Sequence, residues 1–202
     1  METEKTTFTD YIVDALRKAA TELEELQVQA SLGKKEALDK YEESKKKFKS
    51  FIHDTKVKME KGKDSLGDLH QKFDELKVQL ALGKAETLES FQEQKKKILN
   101  SLREIESKIK SNATVNRVYA SLLIEIEKFK VRLEWLEAKF KEGSQDFADS
   151  FNKQKEEFKA FVNRMSDKFS SDKEEDDTSR WDNFQSEMSE AFDHVKKAFS
   201  KS

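Results

Sequence analysis

Apolar residues recur at three- and four-residue intervals through most of the chain. The first run is Ile12, Leu16, Ala19, Leu23, Leu26, Ala30, Gly33, Ala37 and Tyr41, then Phe48, Ile52, Thr55 and Met59. The second is Leu66, Leu69, Phe73, Leu76, Leu80, Gly83, Leu88 and Phe91, then Ile98, Leu102, Ile105 and Ile109. The third is Leu122, Ile126, Phe129, Leu133, Leu136, Phe140, Gly143, Phe147 and Phe151, then Phe158, Val162, Met165 and Phe169. This is the helical period with one apolar face. Each run makes one eleven-residue step, from Ala30 to Tyr41, Leu80 to Phe91 and Phe140 to Phe151. Inside a continuous helix such a step relaxes the left-handed supercoil of heptads.

The three runs are copies of one another. Over 26–52 against 76–102, 12 of 27 residues are identical, including Lys45-Lys46-Lys47 against Lys95-Lys96-Lys97. A third copy lies sixty residues on, where Leu136, Gly143, Ser150, Phe151, Gln154 and Lys155 match Leu76, Gly83, Ser90, Phe91, Gln94 and Lys95. Repeats of this length mean stacked helical units that share a core. The expected fold is all-α: an elongated antiparallel bundle of three long helices, up–down–up in a spectrin-like layout, over about 12–60, 66–111 and 116–169. Residues 1–170 form this bundle, 171–180 an acidic linker, and 181–202 a short amphipathic tail helix.

Turn chemistry collects at 61–68, where glycine is available for the helix end, and at 111–116, where Thr114 or Asn116 offers a cap. The central glycines Gly33, Gly83 and Gly143 sit on the stripe, which stays in phase across them. The expectation is therefore unbroken helices with glycine as a packing notch, so that Gly83→Leu overpacks an antiparallel crossing; the alternative is that the glycines break each long helix into a hairpin, with Gly143-Ser144 as a helix end and new cap.

Composition agrees with long helices. The chain has no proline and only five glycines, and 40% of residues are Asp, Glu, Lys or Arg. Net charge is −2 with the signs mixed, which leaves no field to attract nucleic acid. There is no cysteine, so disulfides and thiol metal sites are excluded. The N-terminus lacks a signal pattern, and no apolar stretch approaches the ~20 residues of a membrane span. A cytoplasmic protein is expected.

Candidate chemistry is sparse. His53, His70 and His194 are isolated, whereas a metal site on a helix needs ligands one turn apart. No phosphate loop and no nucleophile motif occurs, so no enzyme activity, cofactor or metal is expected. The lysine triplets read as a solvated face balanced by Glu42, Glu43, Glu89 and Glu93. Ser44, Gln94 and Gln154 occupy the stripe below the aromatic layer Tyr41, Phe91 and Phe151, where polar groups fix register and partner number. Lys45, Lys95 and Lys155 adjoin them and are expected to lay their stems over the seam with the ammonium in water. In the tail, Trp181, Phe184, Met188, Phe192, Val195 and Phe199 make one apolar face suited to a protein or lipid surface.

Leu76-Lys-Val-Gln-Leu-Ala-Leu-Gly-Lys-Ala-Glu with Phe91-Gln-Glu-Gln-Lys-Lys-Lys97, and the tail Glu190-Ala-Phe-Asp-His-Val-Lys-Lys-Ala-Phe199, resemble small bacterial coiled-coil proteins, some of them stress-associated. In period and composition the chain is also similar to the exchangeable apolipoproteins. Both resemblances imply a non-enzymatic protein. The first implies a scaffold or interaction protein with a protein partner or self-association, the second an amphipathic binder of lipid or granule surfaces.

Overall fold

The computed structural model describes residues 8–28, 33–61, 67–111, 117–141, 152–153, 155–164 and 177–200. Among these the chain is all-α, with seven helices and no strand. They are α1 (Phe8–Val28), α2 (Lys34–Lys61), α3 (Gly67–Leu80), α4 (Leu88–Lys110), α5 (Arg117–Lys141), α6 (155–164) and α7 (Asp177–Ser200).

Three unbroken long helices do not form, and local capping gives the reason. Thr87 is an extended N-cap for α4, and its hydroxyl accepts from Ser90 N–H while Ser90 Oγ accepts from Thr87 N–H. This reciprocal box is worth about 0.5–2 kcal/mol to a helix start. Upstream, α3 closes with Ala81 N–H bonded to Lys77 and Val78 carbonyls, and residues 81–87 cross to α4. At α2, Gly33 stands in the N-cap position, and the Glu36 carboxylate accepts from its N–H at 2.5 Å. The steps ending at Tyr41 and Phe91 therefore mark breaks between helices. The third step begins at Phe140, one residue before α5 ends. Gly33 and Gly83 are exposed, and a Cβ added at Gly83 meets nothing within 4 Å, so the expected packing notch is not found there. Gly143 lies outside the described residues.

In place of the spectrin-like layout, α2, α3, α4 and α5 close a four-helix ring in which each packs on the next and α5 returns to α2. Ion pairs fix the directions. Lys56–Asp74 makes α2 and α3 antiparallel neighbours together with Glu60–His70, and Lys72–Glu104 with Lys108–Asp68 does the same for α3 and α4. Lys95–Glu134 and Glu106–Lys130 set α5 antiparallel to α4. On the opposite side of α5 lie α1 and α7, with α6 touching both through Lys159–Glu24 and the Phe158–Phe192 ring contact. α1 runs parallel to α5, as Arg117 over Tyr11 and Lys128–Glu22 show.

α5 is thus shared by two groups of helices. Its buried residues, including Leu122, Leu123, Ile124, Phe129, Val131, Leu133, Trp135 and Leu136, point to every side of the helix. A helix apolar all round belongs in an interior. The tail stripe joins the same core: Phe184, Met188, Phe192 and Val195 are buried with the rest. Trp181 and Phe199 lie on the α7 backbone, with side chains outside the described set.

The repeats diverge where charge dictates. The pairs that zip α3 to α4, Lys72–Glu104 and Asp68–Lys108, correspond fifty residues earlier to Glu22 with Asp54 and Lys18 with Lys58. Like charges at both places leave α1 and α2 without the ion pairs that join α3 to α4, and α1 packs on α5. An open groove of about 370 Å³ remains between α1 and α2, floored by Phe48, Phe51 and Phe129.

Two stability outcomes follow. Phe129 is buried and stacks on Phe48 with centroids 4.2 Å apart, so Phe129→Ala lowers stability by about 3–5 kcal/mol in urea unfolding. Gly83→Ala meets open space and raises stability by about 0.4–1 kcal/mol.

Candidate functional site

The most concentrated polar chemistry lies in two seams between helices. The first is built on the repeat itself. Lys45, on α2, is 1% exposed, and its ammonium lies 2.9 Å from Leu82 O, 3.4 Å from Gly83 O and 3.1 Å from Gln94 Oε1. Those carbonyls follow the C-terminal end of α3, where the helix dipole favours a cation. Glu42, one turn away, adds an ion pair at 2.9 Å, and the Tyr41 ring lies 4.7 Å below. Gln94 completes the lock by donating to Gly83 O at 2.8 Å and accepting from the Tyr41 hydroxyl at 3.1 Å. Burial keeps that hydroxyl protonated by pushing its pKa up.

The ammonium groups of Lys45 and Lys95 are therefore buried, not in water as the sequence suggested. The reason is that their desolvation is offset, for Lys45 by carbonyl and amide oxygens across the seam with Glu42 of its own helix, and for Lys95 by carboxylates of α5. Lys95, on α4, pairs with Glu134 at 2.6 Å and with Glu137 on α5. Burial works to raise Glu137, but hydrogen bonds from Lys141, Lys95 and Gln92 outweigh it and bring the pKa to about 2. On α6, Lys159 pairs with Glu24 of α1, and Lys155 adds its charge. Each repeat thus reaches the next, Lys45 to the turn after α3 and to α4 and Lys95 to α5, and the third reaches back to α1 through Lys159. The other triplet members Lys46, Lys47, Lys96 and Lys97 are exposed.

Ser44 is buried, yet its hydroxyl donates to Lys40 O in its own helix at 2.7 Å and bridges nothing. Gln154 lies outside the described residues. Of the two described stripe positions, then, Gln94 is the one placed in an inter-helix network.

The second seam joins the two helix groups. Glu106 of α4 accepts from Lys130 of α5 through both oxygens at 2.5 Å, and Lys130 also donates to Glu127 at 3.1 Å. Glu127 in turn accepts from Lys196 of α7 at 2.9 Å, and Lys196 pairs with Asp193 at 2.6 Å. Burial pushes Glu106 up, and Lys130 only partly offsets it. Glu127 feels the same burial, but Lys130 and Lys196 together hold it below the ordinary carboxylate range. The available signal was the apolar setting, with Glu127 beside Ile126, Lys130 between Phe129 and Val131, and Glu106 beside Ile105.

Among the described residues, no group of three His, Cys, Asp or Glu side chains is placed to hold a metal ion, and no helix is long and apolar enough to cross a membrane. His53 is exposed, His70 lies 3.5 Å from Glu60, and His194 lies 3.6 Å from Glu157 on the rim of an open α6–α7 groove of about 620 Å³. Comparison with protein families, with curated proteins and with solved structures finds no match.

The seams yield two outcomes. Glu127→Gln leaves Lys130 and Lys196 short of their shared counter-charge and costs about 3–5 kcal/mol at pH 7. Glu106→Gln removes a carboxylate that burial already disfavours and costs less. Equal losses in urea unfolding would contradict this assignment. For Glu137 the folded pKa is depressed, so its stabilisation is complete above the unfolded value and is lost as pH falls toward about 2. Lys95→Met should flatten the fall in urea midpoint between pH 5 and pH 3, and an unchanged slope would remove Lys95 as its cause.

Proposed function

We propose that this chain is a non-catalytic helical-bundle protein, a scaffold or stress-associated interaction protein that works through the arrangement of its helices. The observation that carries this reading is the use made of interior charge. Lys45, Lys95, Glu106, Glu127 and Lys130 are the buried charged residues among those described, and each bonds a group on another helix. Buried charge spent this way specifies register and neighbours. The two grooves are open, and most of the charges that border them, among them Glu22, Lys128, Arg132 and Glu157, are engaged in ion pairs. Outside, Val78 is the one large hydrophobic residue exposed among those described, at 61%. A charged outer face of this kind suits a protein held apart from nonspecific contacts and joined to a partner by complementary charge or shape.

The rival reading is reversible binding to a lipid or granule surface through α7. Its support is the continuous apolar face of Phe184, Met188, Phe192 and Val195. Against it stands the position of that face, buried against the bundle and closed by Lys196–Glu127. Hydrogen exchange of the full chain with phosphatidylcholine vesicles, alongside flotation at physiological salt, separates the two. The scaffold reading expects no flotation and unchanged protection of α7. Co-flotation with loss of α7 protection would replace it by the surface-binding reading.

A further inference from the structure

We infer that the α6–α7 groove is a self-recognition surface. Two copies of this chain meet there about a two-fold axis, each α6 seated antiparallel in the groove of the other copy. The groove measures about 620 Å³, and its shape comes from small residues. Ala160 of α6 is exposed and Ala191 of α7 is half-buried, while the phenylalanines that line it, Phe158 and Phe161, are buried. The distance between packed helices depends on the side chains at the contact. With alanine on both walls, the groove admits a helix at close range, most closely one whose own facing residue is small.

Charge runs along the groove in a fixed order. α6 and α7 are antiparallel here, since Glu157 faces His194 at 3.6 Å and the Phe158 ring meets that of Phe192. Glu157 and Glu190 therefore border the same end, both beside His194, and Arg164 borders the other. Two helical turns, ~10 Å, separate Glu157 from Arg164. The outer face of α6, with Glu156, Glu157, Ala160, Asn163 and Arg164 all exposed, is the complement of itself when run antiparallel. Place Ala160 opposite Ala160, and Arg164 of each copy comes opposite Glu156 and Glu157 of the other. Glu190, on the α7 wall at that end, adds a further carboxylate. The contacts of His194 with Glu157 and Glu190, at 3.6 and 3.9 Å, are exposed ones that an arriving guanidinium can share. Arginine suits this place, because its planar fork holds carboxylates at interfaces with less loss of freedom than lysine. A two-fold contact uses one patch twice, so both ends are satisfied together and assembly closes at two copies.

This inference deepens the scaffold reading by naming a second copy as partner, and it fails separately, since a monomeric bundle can still recruit another protein. Sedimentation velocity of the full chain over a concentration series should show a monomer–dimer equilibrium. Arg164→Glu and Glu157→Arg each set like charges against one another at both ends, and each should weaken the dimer roughly tenfold, equivalent to about 1.4 kcal/mol. Mixed, the two variants regain opposite charges at both ends, and native mass spectrometry should find their heterodimer in excess over either homodimer. Ala160→Trp fills the contact from an exposed position, so it should abolish the dimer while the melting midpoint of the dilute chain stays unchanged. A monomer at every concentration, a dimer that survives Ala160→Trp, or a statistical mixture of the two charge variants would overturn the assignment.

Discussion

The structure depends on the burial of α5. An isolated helix of its length is marginal in water, and most helical stability in proteins comes from packing. α5 packs on both sides at once. One face completes the ring with α2, α3 and α4, and the other receives α1 and α7. Removing either layer leaves half of an apolar helix in water, at roughly 25 cal/mol for each Å² uncovered. The two groups are therefore not independent units joined by a linker. Their stabilities are coupled through one element.

Charge then decides which helix goes where. Apolar stripes alone would let the repeats pair in several ways, because their hydrophobic positions are nearly interchangeable. Opposite charges zip α3 to α4, while like charges at the corresponding positions of the first repeat leave α1 to find α5. Lys45 and Lys95 extend this logic inward, each reaching forward to the next repeat. Glu127 does it between the two groups, since its carboxylate is satisfied by cations from α5 and α7 together.

Much of this was legible in residues. The helical period, the apolar positions and the membership of Tyr41 and Phe91 in one aromatic contact follow from spacing, and those rings meet edge-on at 4.7 Å. The helix breaks were harder to read. A stripe that stays in phase is compatible with a continuous helix and with a turn alike, and the deciding features were short: Thr87 with Ser90, and Gly33 with Glu36. The number of helices in the core was hidden for a different reason. Stripe width, not stripe period, records how many neighbours a helix has, and the crowding of Tyr119, Ala120, Leu122, Leu123 and Ile124 was its trace. The buried lysines escaped because lysine on a helix edge ordinarily snorkels. Only the partner's carbonyls and carboxylates, distant in sequence, reverse that expectation.

The parallel seating of α1 beside α5 has a consequence in time. Glu22 and Lys128 are 106 residues apart in sequence. During synthesis at ~5–20 residues per second, the receptor face for α1 emerges about 5–20 seconds after α1 itself. For that interval Ile12, Leu16, Leu23 and Leu26 have no native cover from their own chain.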